Sequence, residues 1–305
     1  MKTVTEVADL RQQIVEWKQT GKRIAVVPTM GNLHQGHLSL VTTAQALADK
    51  VVVSIFVNPL QFDEQADLSA YPRTLAADIE KLDSVNCDLV FTPTADVIYP
   101  NKMDEQTVIT VPNMDDKLCG KFRPRHFDGV ATVVAKLFNI IQADIAVFGE
   151  KDYQQLLLIK KMVNDLNFAI DVIGVPICRE QSGLAMSSRN QYLTAQQREQ
   201  AAALYQTLSS IKTSLQQGER DFAMLEQQAF SHLQQLGFKP DYIEIRHADN
   251  LARPNQVNQG NQGVSQLDSQ DFLKIKLADP LVLIVLVAAQ LGKARLIDNI
   301  ICDLA

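Results

Sequence analysis

From the amino terminus onward, short unbroken apolar runs alternate with segments whose apolar positions recur at helical spacing. Arg23–Val27 (RIAVV), Val51–Val57 (VVVSIFV), Asp88–Phe91 (DLVF), Ile145–Phe148 (IAVF) and Ile170–Val175 (IDVIGV) are predicted as strands. Helices are predicted between them, at about Gly36–Ala48, Arg73–Ser84, Phe127–Ile141 and Asp152–Asp165. Strands that are apolar along their whole length have no solvent face, so both sides of their sheet must be covered. With helices between them, that is the pattern of a doubly wound, Rossmann-like α/β fold around a parallel sheet.

Near Pro176 the pattern changes. Two Gln-rich helices are predicted at Ala195–Gln216 and Phe222–Leu236, then strands at Tyr242–Arg246, Leu281–Val287 and Ala294–Ile301. This predicts a smaller α+β domain over 178–305, after a sheet domain over 1–177. The Gln/Asn-rich stretch Asn255–Gln270 has almost no large apolar residue and is expected to be a mobile surface loop.

Composition narrows the possible functions. The 305 residues are 46% apolar and 21% charged, enough for a sizeable core. A formal net charge of −6 argues against a broad nucleic-acid surface, which carries a basic excess. Cys87, Cys119, Cys178 and Cys302 are far apart with no CxxC spacing, as expected for free thiols in a reducing, cytoplasmic compartment. The first residues show no leader pattern, and the longest apolar run, Pro280–Ala289, is too short to cross a membrane.

Three polar clusters stand out. The first, PTMGNLHQGHLSL from Pro28 to Leu40, joins the first predicted strand to its helix. It places His34 and His37 where helix N–H groups and the positive end of the helix dipole collect, a setting for phosphate oxygens. A surface or capping pair is the alternative, and a zinc pair lacks a third ligand at suitable spacing. Gly149-Glu150-Lys151-Asp152 opens a helix at the same edge of the sheet; it offers a cation for phosphate and a carboxylate for a ribose hydroxyl, or is a plain capping turn. Met186-Ser187-Ser188-Arg189 sets two hydroxyls beside a guanidinium, which suits a triphosphate, or is a polar connection between domains. Neither a Walker A loop nor GxGxxG is present.

PTMGNLHQGHLSLV, SIFVNPLQF, AYPRT, RPRHFDGV, FGEKDYQQL and GLAMSSRNQYL, in that order, resemble the pantothenate synthetase family of pantoate–β-alanine ligases, as does LVAAQLGKARLIDN near the end. The resemblance covers nearly the whole chain. It implies a two-step reaction: ATP and pantoate give pantoyl adenylate and pyrophosphate, then the amine of β-alanine attacks and releases AMP. It implies an ATP site made of Met30, Gly31, Asn32, Leu33, His34, Gln35, Gly36, His37, Gly149, Glu150, Lys151, Asp152, Cys178, Met186, Ser187, Ser188 and Arg189. In it His37 is the proton donor or the stabiliser of the attacked phosphate, and His34 and Lys151 are further catalytic groups. A histidine titrating near neutrality suits the first of these, which needs both protonation states near pH 7. Cys178 reads adenine through its backbone. Gln61 and Gln155 hold pantoate, with Gln61 near β-alanine as well. Magnesium is expected with the triphosphate, and Asp78 is the nearest carboxylate candidate, an exposed helix Asp being its alternative. Arg123, His126 and Tyr71 are secondary candidates near the substrate. The resemblance also implies a homodimer.

An acyl adenylate must be kept from water, so the second domain is expected to act as a lid, with Ser187, Ser188 and Arg189 riding on it. Rival readings are a nucleotidyltransferase with a different acceptor, a tRNA-synthetase-like protein, which the acidic balance disfavours, and a nucleotide-binding regulator without turnover. The Asn255–Gln270 stretch is longer than the family's usual connection there.

Overall fold

A computed structural model of the chain describes residues 1–62, 65–254 and 281–304. The expected loop at Asn255–Gln270 lies outside them. The chain forms two compact units, Met1–Glu180 with Ala185–Ser188, and Gln181–Leu184 with Arg189–Ala305.

In the first unit the chain runs β1 (Lys2–Val4), α1 (Val7–Gln19), β2 (Ile24–Thr29), α2 (Gln35–Leu47), β3 (Lys50–Ile55), α3 (Gln65–Ala70), α4 (Leu75–Ser84) and β4 (Leu89–Phe91). It continues α5 (Ala95–Ile98), α6 (Leu118–Phe122), α7 (His126–Ile141), β5 (Ile145–Gly149), α8 (Tyr153–Asp165) and β6 (Asp171–Val175). The strands form one sheet in the order β1-β4-β3-β2-β5-β6, every pair parallel. Alternate residues serve opposite cores. Val26, Val52, Leu89 and Ala146 pack with Phe138, Leu158 and Ile159 on one face. Ala25, Val27, Val53 and Val147 pack with Val41, Ala44 and Leu82 on the other. Two covered faces explain why the strands carry no polar alternation. From β2 the winding goes outward to β3 and β4, then β5 begins on the opposite side of β2. The order reverses between β2 and β5, and it is at the carboxyl ends of such strands that open α/β sheets take their ligands.

Several elements are absent from the sequence pattern, β1 and α1 among them. β1 is three residues long with only Val4 buried, and exists through its pairing with β4. α1 buries Leu10 and Ile14 fully while the rest of its stripe stays partly wet, so its periodicity is faint.

In the second unit β7 (Lys239–His247), β8 (Leu281–Leu291) and β9 (Ala294–Leu304) form an antiparallel sheet in that order. The predicted helix Ala195–Gln216 is assigned as α9 (Ala195–Ala201) and α10 (Ala203–Gln216). Ala202 keeps right-handed dihedrals (φ −60°, ψ −22°), but its N–H bonds back three residues to Glu199 O, a single tightened turn in one continuous path. α10 and α11 (Phe222–Gln235) cover one face of the sheet through Leu208, Ile211, Leu225 and Leu233 against Ile243, Ile245, Val285 and Val287.

One close approach in the first unit bears on the site. A Cβ built at Gly129, in the first turns of α7, would lie 2.4 Å from Leu60 O and 2.7 Å from Gln61 N. The helix and the 3-10 turn Pro59–Gln61 therefore meet backbone to backbone. In an open helix, Gly→Ala stabilises by roughly 1 kcal/mol. Here the sign should reverse: Gly129→Ala is expected to destabilise by about 1–3 kcal/mol through overpacking. Urea unfolding checks it, and a raised midpoint would show that this seam yields freely.

Candidate active site

The turn after β2 is gripped from three sides. Thr29 Oγ1 donates to Ser54 O (2.8 Å) and accepts from Gly31 N (3.2 Å). Gly31 (φ +81°) and Asn32 (φ +49°) then turn through left-handed backbone, which points successive N–H groups inward. These meet Asp78 on α4, whose carboxylate accepts from Asn32 N (2.9 Å), Leu33 N (2.7 Å) and Thr74 Oγ1 (3.1 Å). One turn further along α4, Lys81 Nζ donates to Leu33 O (2.7 Å). Gly31 is needed for fit as well, since a Cβ there would stand 3.1 Å from Asp78 Oδ2.

Asp78 is thus no exposed helix residue: it is fully buried, and the reading of it as a surface carboxylate is corrected. Its burial is balanced by the three donors. This is an anion already satisfied by the protein, a poor fit to a metal ligand. Among the described residues no group of three or more His, Cys, Asp or Glu side chains could hold a metal ion.

The anchored turn delivers His34 to the N-cap of α2 and His37 to its first turn. Gly36 N donates to His34 Nδ1 (3.2 Å) and His34 N donates to His37 Nδ1 (3.3 Å). Both Nδ1 atoms are acceptors, so in each neutral ring the proton sits on Nε2. The rings lie 4.1 Å apart, tilted by 38°. Burial, with Lys151 and Lys81 nearby, holds His34 down to about 4. Burial, then His34 and the same lysines, holds His37 down to about 3. The expectation that His37 titrates near neutrality is corrected: both rings are neutral at pH 7, each presenting an Nε2–H donor.

Gly149 ends β5, and Glu150–Asp152 form a 3-10 turn into α8. Lys151 lies 3.9 Å from Asp152 Oδ2, and its charge acts on both histidines. Asp152 and Gln35 are exposed. Cys178 O accepts from Met186 N (3.0 Å) and its Sγ is 3.6 Å from Met186 Sδ, while Ser188 Oγ donates to Asn32 O (3.0 Å) in the turn after β2. Met186, Ser187 and Ser188 belong to the first unit, so of the hydroxyl–guanidinium run only Arg189 falls in the second.

Gln61 is buried, its Nε2 3.2 Å from Met30 Sδ. Arg123 and His126 hold its backbone. His126 Nδ1 is 2.8 Å from Gln61 O and Arg123 Nη2 donates to that oxygen (3.3 Å), while Arg123 Nη1 is 3.1 Å from His126 Nε2. A carbonyl only accepts and a guanidinium only donates, so His126 is neutral with its proton on Nδ1. Tyr71 is buried edge-on against Phe62, with ring centroids 5.6 Å apart. Adjacent glutamines divide their work. Gln154 is buried and its side chain bonds Cys119 N, Met114 O and Lys117 O, whereas Gln155 is half-buried and its side chain makes no hydrogen bond among the described residues. Asn58, Lys81 and Tyr99 were not legible as site residues; only the Asn before Pro59 offers a local sign, that of a turn.

A doubly wound parallel sheet with paired imidazoles at the head of one helix and a lysine turn at the head of its neighbour defines a nucleotide-handling α/β enzyme. The sequence profile of the pantoate-beta-alanine ligase family matches residues 2–301, and the chain belongs to that family. A pantothenate synthetase of Pseudomonas putida KT2440 is 51% identical over 300 residues, covering 98% of this chain and 97% of the relative. One from Shewanella baltica OS223 is 49% identical over 303 residues, covering 99% and 100%. Among solved structures, pantothenate synthetase from Thermus thermophilus superposes with a TM-score of 0.84 at 38% identity, covering 98% of this chain and 99% of that one. Pantoate-beta-alanine ligase from Francisella tularensis, complexed with beta-gamma ATP and beta-alanine, gives 0.76 at 33% identity, covering 98% and 97%.

Two outcomes follow from the geometry. Asp78→Asn puts an amide where two N–H donors converge, and should cost about 1–3 kcal/mol of stability. It should leave the half-saturating magnesium concentration of the reaction unchanged; a tenfold rise would make Asp78 a metal ligand after all. The second concerns pH. Because both histidines are held below 6.5 in the folded chain, the unfolded chain binds more protons below that value. Their contribution to stability is complete above pH 6.5 and is lost as pH falls from 6.5 toward 4 and 3. Each contributes a slope of up to about 1.4 kcal/mol per pH unit. Unfolding measured from pH 7 to pH 4.5 should show a steeper decline for the native chain than for a His34→Gln/His37→Gln variant.

Proposed function

We propose that this chain joins pantoate to the amine of β-alanine with ATP, forming pantothenate, AMP and pyrophosphate through pantoyl adenylate. The observation that carries the reading is the pair of neutral Nε2–H donors at the head of α2 beside Lys151, on a scaffold that belongs to the pantoate–β-alanine ligase family. In the first step a carboxylate oxygen of pantoate bonds to the α-phosphorus and the bond from that phosphorus to the pyrophosphate oxygen breaks. Charge builds on phosphate oxygens, and His34, His37 and Lys151 take it up. In the second step the neutral amine attacks the acyl carbon, AMP leaves with the bonding pair, and the amine loses a proton to water.

The turn Met30–His37, Gly149–Asp152, the Cys178 backbone and Met186–Arg189 form the ATP site in this proposal, with Asp152 toward the ribose. Gln61 and Gln155 hold pantoate. The lid role of the second domain now rests on Arg189, since Ser187 and Ser188 belong to the first unit. Magnesium accompanies the triphosphate through phosphate oxygens and water, with no ligand from Asp78. The working enzyme is a cytoplasmic homodimer; no helix among the described residues is long and apolar enough to cross a membrane.

Omitting each substrate in turn tests the reaction. Pyrophosphate should appear with ATP and pantoate alone for one turnover, and AMP only when β-alanine is added. Pyrophosphate release without pantoate would favour a nucleotidyltransferase. His37→Ala and His34→Ala should each slow adenylate formation by about 10²–10³. Lys151→Ala should chiefly lower kcat/KM for ATP. With neutral imidazoles as the working form, kcat/KM for ATP should show no tenfold-per-unit fall between pH 5.5 and pH 8. Such a fall would make the protonated ring the active species.

A further inference from the structure

Behind Gln61 runs a hydrogen-bond chain whose direction is fixed at every link. Asn58 is buried, and backbone groups settle which end of its amide is which. Leu60 N lies 3.3 Å from one end, and an N–H only donates, so that end is Oδ1. Gly129 O lies 3.1 Å from the other, and a carbonyl only accepts, so that end is Nδ2. The remaining Nδ2 hydrogen points at the Gln61 amide, 3.1 Å away, which must therefore present Oε1. Gln61 Nε2 is left on the opposite side, one hydrogen directed at Met30 Sδ and the other without a partner among the described residues.

The far end of the chain is Tyr99, buried at the end of α5, whose hydroxyl donates to Asn58 Oδ1 at 2.7 Å. Burial pushes this phenol up well above its ordinary value, so it remains a donor at every working pH. Its ring is held by Phe56, with centroids 6.2 Å apart, and by Lys136 Nζ, 5.3 Å from the ring centre.

We propose that Tyr99 is a positioning residue which, through Asn58, locks the Gln61 amide with its N–H outward, making Gln61 a donor that selects a substrate oxygen and rejects an ammonium. The proposal rests on Gln61 meeting pantoate. It adds that Gln61 takes a hydroxyl or carboxylate oxygen of the hydroxy acid and cannot accept a hydrogen bond from the ammonium form of β-alanine. A free amide could turn and serve either substrate; this one cannot turn without facing N–H to N–H at Asn58.

Tyr99→Phe removes only the hydroxyl. It should raise the KM for pantoate about tenfold and leave the KM for ATP and for β-alanine within about twofold. The decisive measurement is the same substitution in a Gln61→Ala background, where it should have no further effect on pantoate. A merely structural role would lower pantoate affinity equally in both backgrounds and would overturn the proposal. Gln61→Ala alone separates the two claims. An unchanged pantoate KM there defeats the assignment of Gln61 itself; a raised one, with Tyr99→Phe silent, defeats the relay. Should Tyr99→Phe fold poorly, Asn58→Asp gives a second route. Its carboxylate must draw Gln61 Nε2 inward, so it should raise the pantoate KM in the native background and leave it unmoved in Gln61→Ala.

Discussion

Much of the first unit's chemistry hangs on one buried carboxylate. Asp78 accepts two consecutive backbone N–H groups from a turn that has no regular structure of its own. A buried anion is stable only when donors surround it, and a left-handed turn keeps its shape only when its amides are satisfied. Each condition here answers the other. Lys81 adds a grip on the same turn's carbonyl, so one face of α4 holds both polarities of the strand-to-helix connection. The placement of His34 and His37 follows, because their backbone is the continuation of that turn. Removing the clamp would free that loop.

The same logic recurs at Gln61, whose carbonyl is fixed by His126 and Arg123 and whose amide is fixed by Asn58. Neither support is a hydrophobic contact; Asn58 is three residues from Gln61, whereas Arg123 and His126 come from far along the chain. Gly129 completes the arrangement by bringing the helix that carries His126 against the turn that carries Gln61. Backbone groups can only donate or only accept, and Leu60 N and Gly129 O are what make the amide directions deducible here.

The legible part of this molecule is the part written in periodic patterns or in residues of unusual chemistry. The central strands were readable because two covered faces demand uninterrupted apolar residues. The histidine pair was readable because it sits where a strand becomes a helix. β1 could not be read, since three residues with one buried side chain carry no period and their partner lies 87 positions away at Lys2↔Leu89. Asp78 was misjudged for a related reason. On a helix surface an Asp is ordinarily wet, and only the distant turn folding against α4 reverses that. The neutrality of the histidines was equally hidden, because a pKa depends on burial and on Lys81 and Lys151, whose proximity no spacing along the chain announces.

On the proposed role, the uncharged state of the imidazoles also shapes how the site lets go. Attraction from aimed dipoles fades over distance faster than attraction from a full charge. A pyrophosphate drawing away would lose the contribution of the two rings sooner than that of the lysine. The feature that readies the cradle for the incoming triphosphate is thus the one that keeps it from becoming a trap for what remains afterwards.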